Sequence, residues 1–204
     1  MTPAPSAAVP RSSARELALI AIFAGVVAAL GIVPAFTPPG FSVPITAQSL
    51  GVMLAGSILG ARRGLLSLLL FLALVAVGLP VLSGGRGGLG AFAGSSTGFL
   101  LAFPVAAYVV GWLTERRGAP YTLRWELVAN FVGGIVVMYV GGILGLAATL
   151  HLSLASATVA TWIYIPGDLV KVVIAAVVAR GVHAAYPGLL VQRTRQRELD
   201  GAVR

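Results

Sequence analysis

The sequence predicts an all-α, polytopic membrane protein with six transmembrane helices and both termini in the cytoplasm. The class follows from composition: 58% of the 204 residues are hydrophobic and 10% are charged. The mean hydropathy is +0.96, which is too apolar for a domain whose surface must face water. The helix count follows from length, because a hydrocarbon core of about 30 Å requires about 20 apolar residues per helix. The orientation follows from the distribution of arginine.

Glycine, proline or charged residues separate the apolar segments, and these breaks define six predicted spans. The spans cover residues 16–33, 46–60, 64–82, 98–113, 125–150 and 159–181. Together they leave no room for a separate soluble domain. We therefore expect residues 1–204 to form a single membrane domain, with an N-terminal tail at 1–14 and a cytoplasmic C-terminal tail at 190–204.

Arginine marks alternate connections between the predicted spans. It precedes the first span, separates the second from the third and the fourth from the fifth, and follows the sixth: Arg11, Arg15, Arg62, Arg63, Arg116, Arg117, Arg124, Arg180, Arg193, Arg195 and Arg197. The other connections carry only Arg86 and His151. The positive-inside rule therefore places both termini in the cytoplasm. A cleaved secretory signal is the alternative for the first span, but its removal would leave five spans and upset this alternation.

Small residues recur at helical spacing along the first span. Ala14, Ala18, Ala21 and Gly25 share a face on which another helix can approach closely. Such a face suits either packing within the chain or docking of a partner, and the sequence leaves both roles open.

Two loops on the predicted outer side have unusual compositions. Residues 33–46 are uncharged and rich in proline, and they include two phenylalanines. Such a loop should be stiff, and we therefore predict that it forms a lid. Residues 79–99 are rich in glycine and serine. Irregular backbone at membrane depth must be buried in protein or line a cavity, so this loop is a candidate binding loop. The alternative is an ordinary flexible connector.

The chain lacks the residues that common catalytic and nucleotide sites require. Residues 85–90, GRGGLG, match a dinucleotide motif in form, but no acid lies between Glu16 and Glu115. The sole lysine, Lys171, does not follow glycine as a P-loop requires. Two dispersed histidines and no cysteine offer no metal site and no evident base for a nucleophile. We expect no enzyme activity, metal, cofactor or nucleic-acid partner, so any energised step depends on a partner protein or a gradient.

Asp168 and Lys171 are the exceptional residues of the last span. They lie three positions apart in an otherwise apolar segment and therefore share one helix face. Each charge near the bilayer centre costs about 2.5 to 3.5 kcal/mol, so both must face the bundle interior. Pro166 and Gly167 just before them predict a kink or a helix start. The pair either recognises a substrate or couples protons, or it is a self-neutralised pair that anchors the span.

Three stretches carry a resemblance to a known family. They are VPITAQSLGVMLAGSILGARRG from Val43, VGLPVLSGGRGGLGAFAGSSTGF from Val77 and YIPGDLVKVVIAA from Tyr164. In order and spacing they resemble the signatures of BioY, the biotin-specific S-components of energy-coupling-factor (ECF) vitamin transporters. The chain departs from the family pattern at Leu82, where phenylalanine is usual, and at 94–99, where GSSTGF replaces GPTGGY.

The resemblance implies a six-helix protein of the cell membrane that captures biotin at its outer face. It also implies an ECF coupling protein with two ATPases as partners, although some members are reported to act without them, and it leaves a homo-oligomer open. The alternatives are an S-component for another vitamin, or an ion- or proton-coupled secondary transporter that uses Asp168.

Biotin chemistry suggests roles for the candidate site residues. We expect Asp168 to accept a ureido N–H, Lys171 to donate to the ureido carbonyl or the carboxylate, and Arg86 to pair with the valerate carboxylate. Polar side chains near membrane depth form a second group that completes the hydrogen bonds of the ligand or serves as caps and interhelical contacts: Thr46, Gln48, Ser96, Thr97 and Tyr164. Tyr164 is also a candidate interfacial anchor.

Overall fold

A computed structural model describes residues 11–118, 121–187 and 189, and this part of the chain is helical with only isolated β-bridges. Its helices are α1 (Arg11–Leu30), α2 (Gln48–Leu59), α3 (Ala61–Ala76), α4 (Thr97–Arg117), α5 (Leu123–Leu150) and α6 (Leu154–Ala185). The predicted all-helical class is thereby confirmed. Most of both predicted tails, residues 1–10 and 190–204, lies outside the described residues.

Four helices in the described part are long and apolar enough to cross a membrane: α1, α4, α5 and α6. The remaining two are shorter, with 12 residues in α2 and 16 in α3. At 1.5 Å per residue they are about 18 and 24 Å long. The third helix ends at Ala76, earlier than the predicted limit of 82, because Gly78 adopts a φ of 101° and Pro80 follows.

Two helices contain local irregularities. Helix α5 has a π-helical turn at Val132–Val137, where Gly133 and Gly134 lie directly against α4 and α2. Helix α6 begins at Leu154, earlier than predicted, and passes through a 3₁₀ turn at Trp162–Tyr164. A regular helix then runs over Ile165–Ala185 with Pro166 in its first turn, as the prediction of a kink or helix start requires.

Helix α4 is central, packing against α2, α3 and α5, while α2 also contacts α6 and α1 packs on α3 and α2. Gly98 in the first turn of α4 lies against Gly141 and Gly145 of α5, and a Cβ at Gly98 would overlap the Gly141 carbonyl oxygen. The two backbones approach this closely because neither side has a side chain.

The arginine-rich connections meet at one end of the bundle. Arg63 lies 2.7 Å from Glu16 in α1 and donates to the Leu189 carbonyl after α6 at 2.9 Å. Glu115 near the end of α4 accepts from the Ala61 backbone N–H at 2.9 Å. These contacts make neighbours of the start of α1, the α2–α3 junction, the end of α4 and the region after α6. The orientation of this end relative to the membrane stays a prediction.

A buried polar network lies towards the same end, between α2, α4, α5 and α6. Asn130 donates to Ser57 at 2.9 Å and to the Glu126 carbonyl at 2.8 Å, while Thr114 donates to the Glu126 carboxyl at 3.0 Å. His183 lies 2.8 Å from the Ser57 carbonyl through Nε2. All five residues are buried, so these contacts connect four helices where water has little access.

The small-residue face of α1 is unoccupied in the described part of the chain. Ala14, Ala18, Ala21 and Gly25 are all exposed, and a Cβ added at Gly25 would have no neighbour within 4 Å. Within the described residues, therefore, this face does not pack on another part of the chain, and its docking to a partner stays a prediction.

Candidate ligand-binding site

A cavity of about 90 Å³ lies at the end of the bundle opposite the arginine-rich connections. Its walls come from α2, α4, α5 and α6 and from the loops before α2 and before α4: Val43, Pro44, Ile45, Thr46, Gln48, Ser49, Leu82, Arg86, Ala91, Ser96, Phe99, Leu100, Phe103, Met138, Tyr139, Tyr164, Asp168 and Lys171. Of the eight residues predicted for a binding site, the cavity brings together all but Thr97.

The Asp168–Lys171 pair forms the charged part of the wall. Lys171 Nζ lies 2.8 Å from Asp168 Oδ1, and the side chains are 15% and 9% exposed. Asp168 occupies the first turn of the helix over Ile165–Ala185, where the helix dipole stabilises an anion. The pair is therefore mutually neutralised, and it also faces a cavity.

Two further hydroxyl groups complete the surroundings of the Asp168 carboxylate. Tyr139 donates to Oδ2 at 2.8 Å. Ser49 accepts from Lys171 at 2.9 Å and approaches Oδ1 at 3.4 Å, which is long for a hydroxyl hydrogen bond. Each carboxylate oxygen has two lone pairs, so the carboxylate retains the capacity to accept from a ligand.

Aromatic side chains form a wall beside the charged pair. The ring of Phe99 meets Tyr139 and Tyr164 edge-on, with centroids 6.2 Å apart in each pair. Tyr164 is buried and donates to the Val43 carbonyl at 2.8 Å, so it connects α6 to the loop before α2. The interpretation of Tyr164 as an interfacial anchor is therefore wrong.

The loop over the cavity is folded back on itself. Phe36 and Ile45 form an antiparallel bridge, with N–H to carbonyl distances of 3.2 and 2.8 Å. The segment from Val43 to Thr46 then follows the cavity wall into α2. This placement is compatible with the predicted lid, whose movement stays a prediction.

Arg86 lies at the edge of the cavity on a tight turn. The turn is closed by backbone hydrogen bonds between Leu82 and Arg86, and its Gly84 and Gly85 have φ angles of 79° and 70°, which favour glycine. Arg86 Nε donates to the Ser83 carbonyl at 3.2 Å. No carboxylate of the described residues pairs with this guanidinium within 4.0 Å.

Gln48 lines the cavity, but its amide is used to hold the scaffold together. Its Nε2 donates to the carbonyls of Val27 at 3.2 Å and Val81 at 3.1 Å, and its Oε1 accepts from the Ser83 N–H at 3.2 Å. Both amide hydrogens are engaged, so only acceptor capacity remains for a ligand. Gln48 thus positions α1 and the Arg86 turn around the cavity.

The remaining predicted hydroxyls differ in their placement. Ser96 and Thr46 line the cavity, and Ser96 Oγ is buried without a hydrogen-bond partner among the described residues. Thr97 does not line the cavity: it is the first residue of α4, and its hydroxyl donates to the Gly94 carbonyl at 2.6 Å. Because this local hydrogen bond already uses the Thr97 hydroxyl, it competes with a hydrogen bond from that hydroxyl to a ligand.

Ser49 and Tyr139 were not among the residues predicted for the site. Tyr139 lies 29 positions from Asp168 and Ser49 lies 119 positions from it, so no local spacing relates them. The available signal for Ser49 was its place next to Gln48 in a conspicuously polar start of α2. For Tyr139 it was a lone hydroxyl in an apolar run; in the structure it follows the π-helical turn at Val132–Val137, a feature that often accompanies functional sites.

Comparisons with known proteins agree with one another. The model of the BioY family matches residues 4–188. "Biotin transporter BioY" of Rhizobium etli is 48% identical over 181 residues, covering 86% of this chain and 96% of that protein. The protein of the same name from Rhodobacter capsulatus is 49% identical over 189 residues, covering 88% and 98%.

A solved structure is similar over most of its length. It is the crystal structure of the S-component for biotin from an ECF-type ABC transporter, with a TM-score of 0.82 and 28% sequence identity. The similarity covers 87% of this chain and 95% of that one.

Proposed function

The chain belongs to the BioY family, and from that premise we propose that it captures biotin at the outer face of the cell membrane and mediates its uptake. Transport rather than catalysis is the activity of its named relatives. The observation that carries the proposal is the Asp168–Lys171 pair, which is nearly buried and yet lines a cavity with aromatic walls.

The cavity is complementary to the head of biotin. The ureido group has two N–H donors and one carbonyl, and the fused thioether ring is apolar. Asp168 retains lone pairs for a ureido N–H, and Lys171 has a third hydrogen beyond those given to Asp168 and Ser49 for the carbonyl or the carboxylate. Phe99, Phe103 and Met138 supply apolar surface for the rings.

The tail of biotin carries the ligand's only charge. Arg86, exposed at the cavity edge and without a carboxylate partner among the described residues, is our candidate for its counter-charge. Ser96, with its unpartnered hydroxyl, and Thr46 are candidates for further hydrogen bonds. Gln48 and Tyr164 act mainly by positioning the loops. Thr97 contributes through the start of α4, because its hydroxyl donates to the Gly94 carbonyl.

We propose an ECF module as the energising partner. The chain contains no P-loop, and the solved structure to which it is similar comes from such a transporter. The exposed face of Ala14, Ala18, Ala21 and Gly25 provides a smooth helix surface for the coupling protein. The alternative occupant of this face is a second copy of the chain. Pull-down from the native membrane, with identification of the co-purifying proteins, distinguishes a coupling protein from a second copy.

The proposed topology has six spans with both termini inside, in which α2 and α3 also cross the membrane although they are short. Because the chain has no cysteine, single cysteines report accessibility without background. We expect Thr37→Cys to react with an impermeant maleimide in intact cells, and Arg116→Cys to react only after permeabilisation. The opposite pattern, or reaction of both in intact cells, contradicts the topology.

Binding of labelled biotin to purified protein tests the function. Unlabelled biotin and desthiobiotin should compete, whereas thiamin and riboflavin should not. Direct binding of another labelled vitamin, with no binding of labelled biotin, would favour an S-component of different specificity. The rival ion-coupled mechanism predicts that a protonophore abolishes uptake at constant ATP while leaving binding unchanged.

A further inference from the structure

A second, larger cavity of about 730 Å³ adjoins the proposed biotin site. It lies between the segment after α1 and the Arg86 turn. The two cavities share Pro44, Leu82 and Arg86 in their walls. The proposed position of the biotin carboxylate is therefore at the boundary between them, and not at a closed end.

The walls of this second cavity favour an apolar linear chain with a hydrogen-bonding group close to Arg86 and Ser83. Among the described residues that line it, Arg86 is the single charged one, and prolines, glycines and small aliphatic residues make up most of the remainder. Ser83 is 3% exposed, and its Oγ has no hydrogen-bond partner among the described residues. The backbone N–H and carbonyl of Ser83 are already used by Gln48 and Arg86. Its hydroxyl is thus a buried group with unused capacity, which is costly unless a visiting group pairs with it.

We propose that this cavity receives the tail of biotin derivatives joined through an amide to a short, linear ω-amino acid, so that the chain binds such conjugates as well as free biotin. This inference rests on the biotin site proposed above. The amide keeps a carbonyl that accepts from Arg86, and it adds an N–H that the Ser83 hydroxyl can accept. The terminal carboxylate of the conjugate meets no acidic residue among those described in the wall of this cavity.

Competition with labelled biotin by the amide of biotin with aminohexanoic acid tests the proposal. We expect this conjugate to bind within about tenfold of biotin, since the ion pair of the carboxylate with Arg86 is exchanged for a hydrogen bond from Arg86 to a neutral carbonyl. Ala35→Trp fills the second cavity from a half-buried position that does not line the first. It should weaken conjugate binding by about tenfold or more while leaving biotin within about twofold.

Ala93→Trp is the matched control, because Ala93 is exposed and lines neither of the two cavities. It should change neither affinity. If Ala35→Trp does not fold, Thr37→Trp fills the same cavity from an exposed position. A wild-type protein that binds biotin but not the conjugate overturns this inference and leaves the proposed function standing. So does a conjugate affinity unaffected by the filling variant. Failure of both ligands to bind contradicts the proposed function itself.

Discussion

Replacing Asp168 by asparagine isolates the charge of the proposed biotin site from its shape. The carboxylate accepts from Lys171 Nζ and Tyr139 Oη, both at 2.8 Å, and it has the capacity to accept from a ureido N–H. Asparagine keeps one carbonyl oxygen but replaces the other by an amide that donates, and it removes the negative charge. The ligand then meets a neutral acceptor beside an uncompensated ammonium group.

The expected loss in affinity follows from the strength of hydrogen bonds to charged groups. Such bonds contribute about 1.5 to 3 kcal/mol, which corresponds to a loss of about 10- to 100-fold in biotin affinity. Stability should also fall, because removing one member of a buried ion pair costs about 3 to 5 kcal/mol when burial is complete. The Lys171 side chain is 15% exposed, so we expect a cost below that range.

Equilibrium binding of labelled biotin and thermal unfolding in detergent, measured on the same preparations, separate the two effects. The control is the double variant Asp168→Asn with Lys171→Met, in which no ammonium is left without a partner. It should recover much of the thermal stability but none of the affinity. The reasoning is refuted if folded Asp168→Asn binds biotin within about twofold of the original chain. It is refuted equally if the double variant recovers both properties, because the pair would then be purely structural.

Four further substitutions test other parts of the structure. Arg86→Ala should weaken biotin by about 10- to 100-fold and biotinamide far less; equal losses would exclude carboxylate pairing. Asn130→Ala removes three hydrogen bonds from the buried network and should lower the free energy of unfolding by about 1 to 3 kcal/mol with unchanged biotin affinity. A thermal midpoint equal to that of the original chain would show that the network adds no stability. Gly98→Ala drives a Cβ into the α5 backbone and should reduce both stability and binding, whereas Gly25→Ala, with open space around it, should reduce neither. Similar behaviour of the two glycine variants in thermal unfolding would contradict the close α4–α5 contact.

The helical class and the charged centre of the site were predictable because both depend on local sequence. Hydropathy and breaks at glycine, proline and charge delimit the apolar helices, although their ends differ by several residues from the predicted ones. The spacing of Asp168 and Lys171 places them on one helix face whatever surrounds that helix. Their burial followed from the cost of exposing charge to lipid.

The partners of these residues were not predictable, because they arise from contacts between distant segments. Tyr139 and Ser49 reach Asp168 only when α5 and α2 pack beside α6. Gln48 was expected to contact ligand or helix, and only the structure reveals that both amide hydrogens bind backbone carbonyls of other segments. Thr97 illustrates the opposite difficulty. Its hydroxyl is near the site, but it donates to a backbone carbonyl of the preceding loop. Periodicity contains no information on such choices.

The occupant of the small-residue face of α1 was also not predictable from the sequence. Its spacing indicates a surface that another helix can approach, but the same pattern suits a neighbour within the chain or outside it. The exposure of Ala14, Ala18, Ala21 and Gly25 excludes the first option in the described part of the protein. The identity of the occupant depends on a second molecule, which no feature of a single chain specifies.

A structure of this chain with biotin bound would show whether the buried acid and amine of α6 recognise the ligand head. We expect the ureido nitrogen and oxygen atoms to lie about 2.7 to 3.2 Å from the Asp168 carboxylate and the Lys171 ammonium respectively. Biotin bound with its ureido group in contact with neither residue, and the 2.8 Å ion pair unchanged, would contradict it.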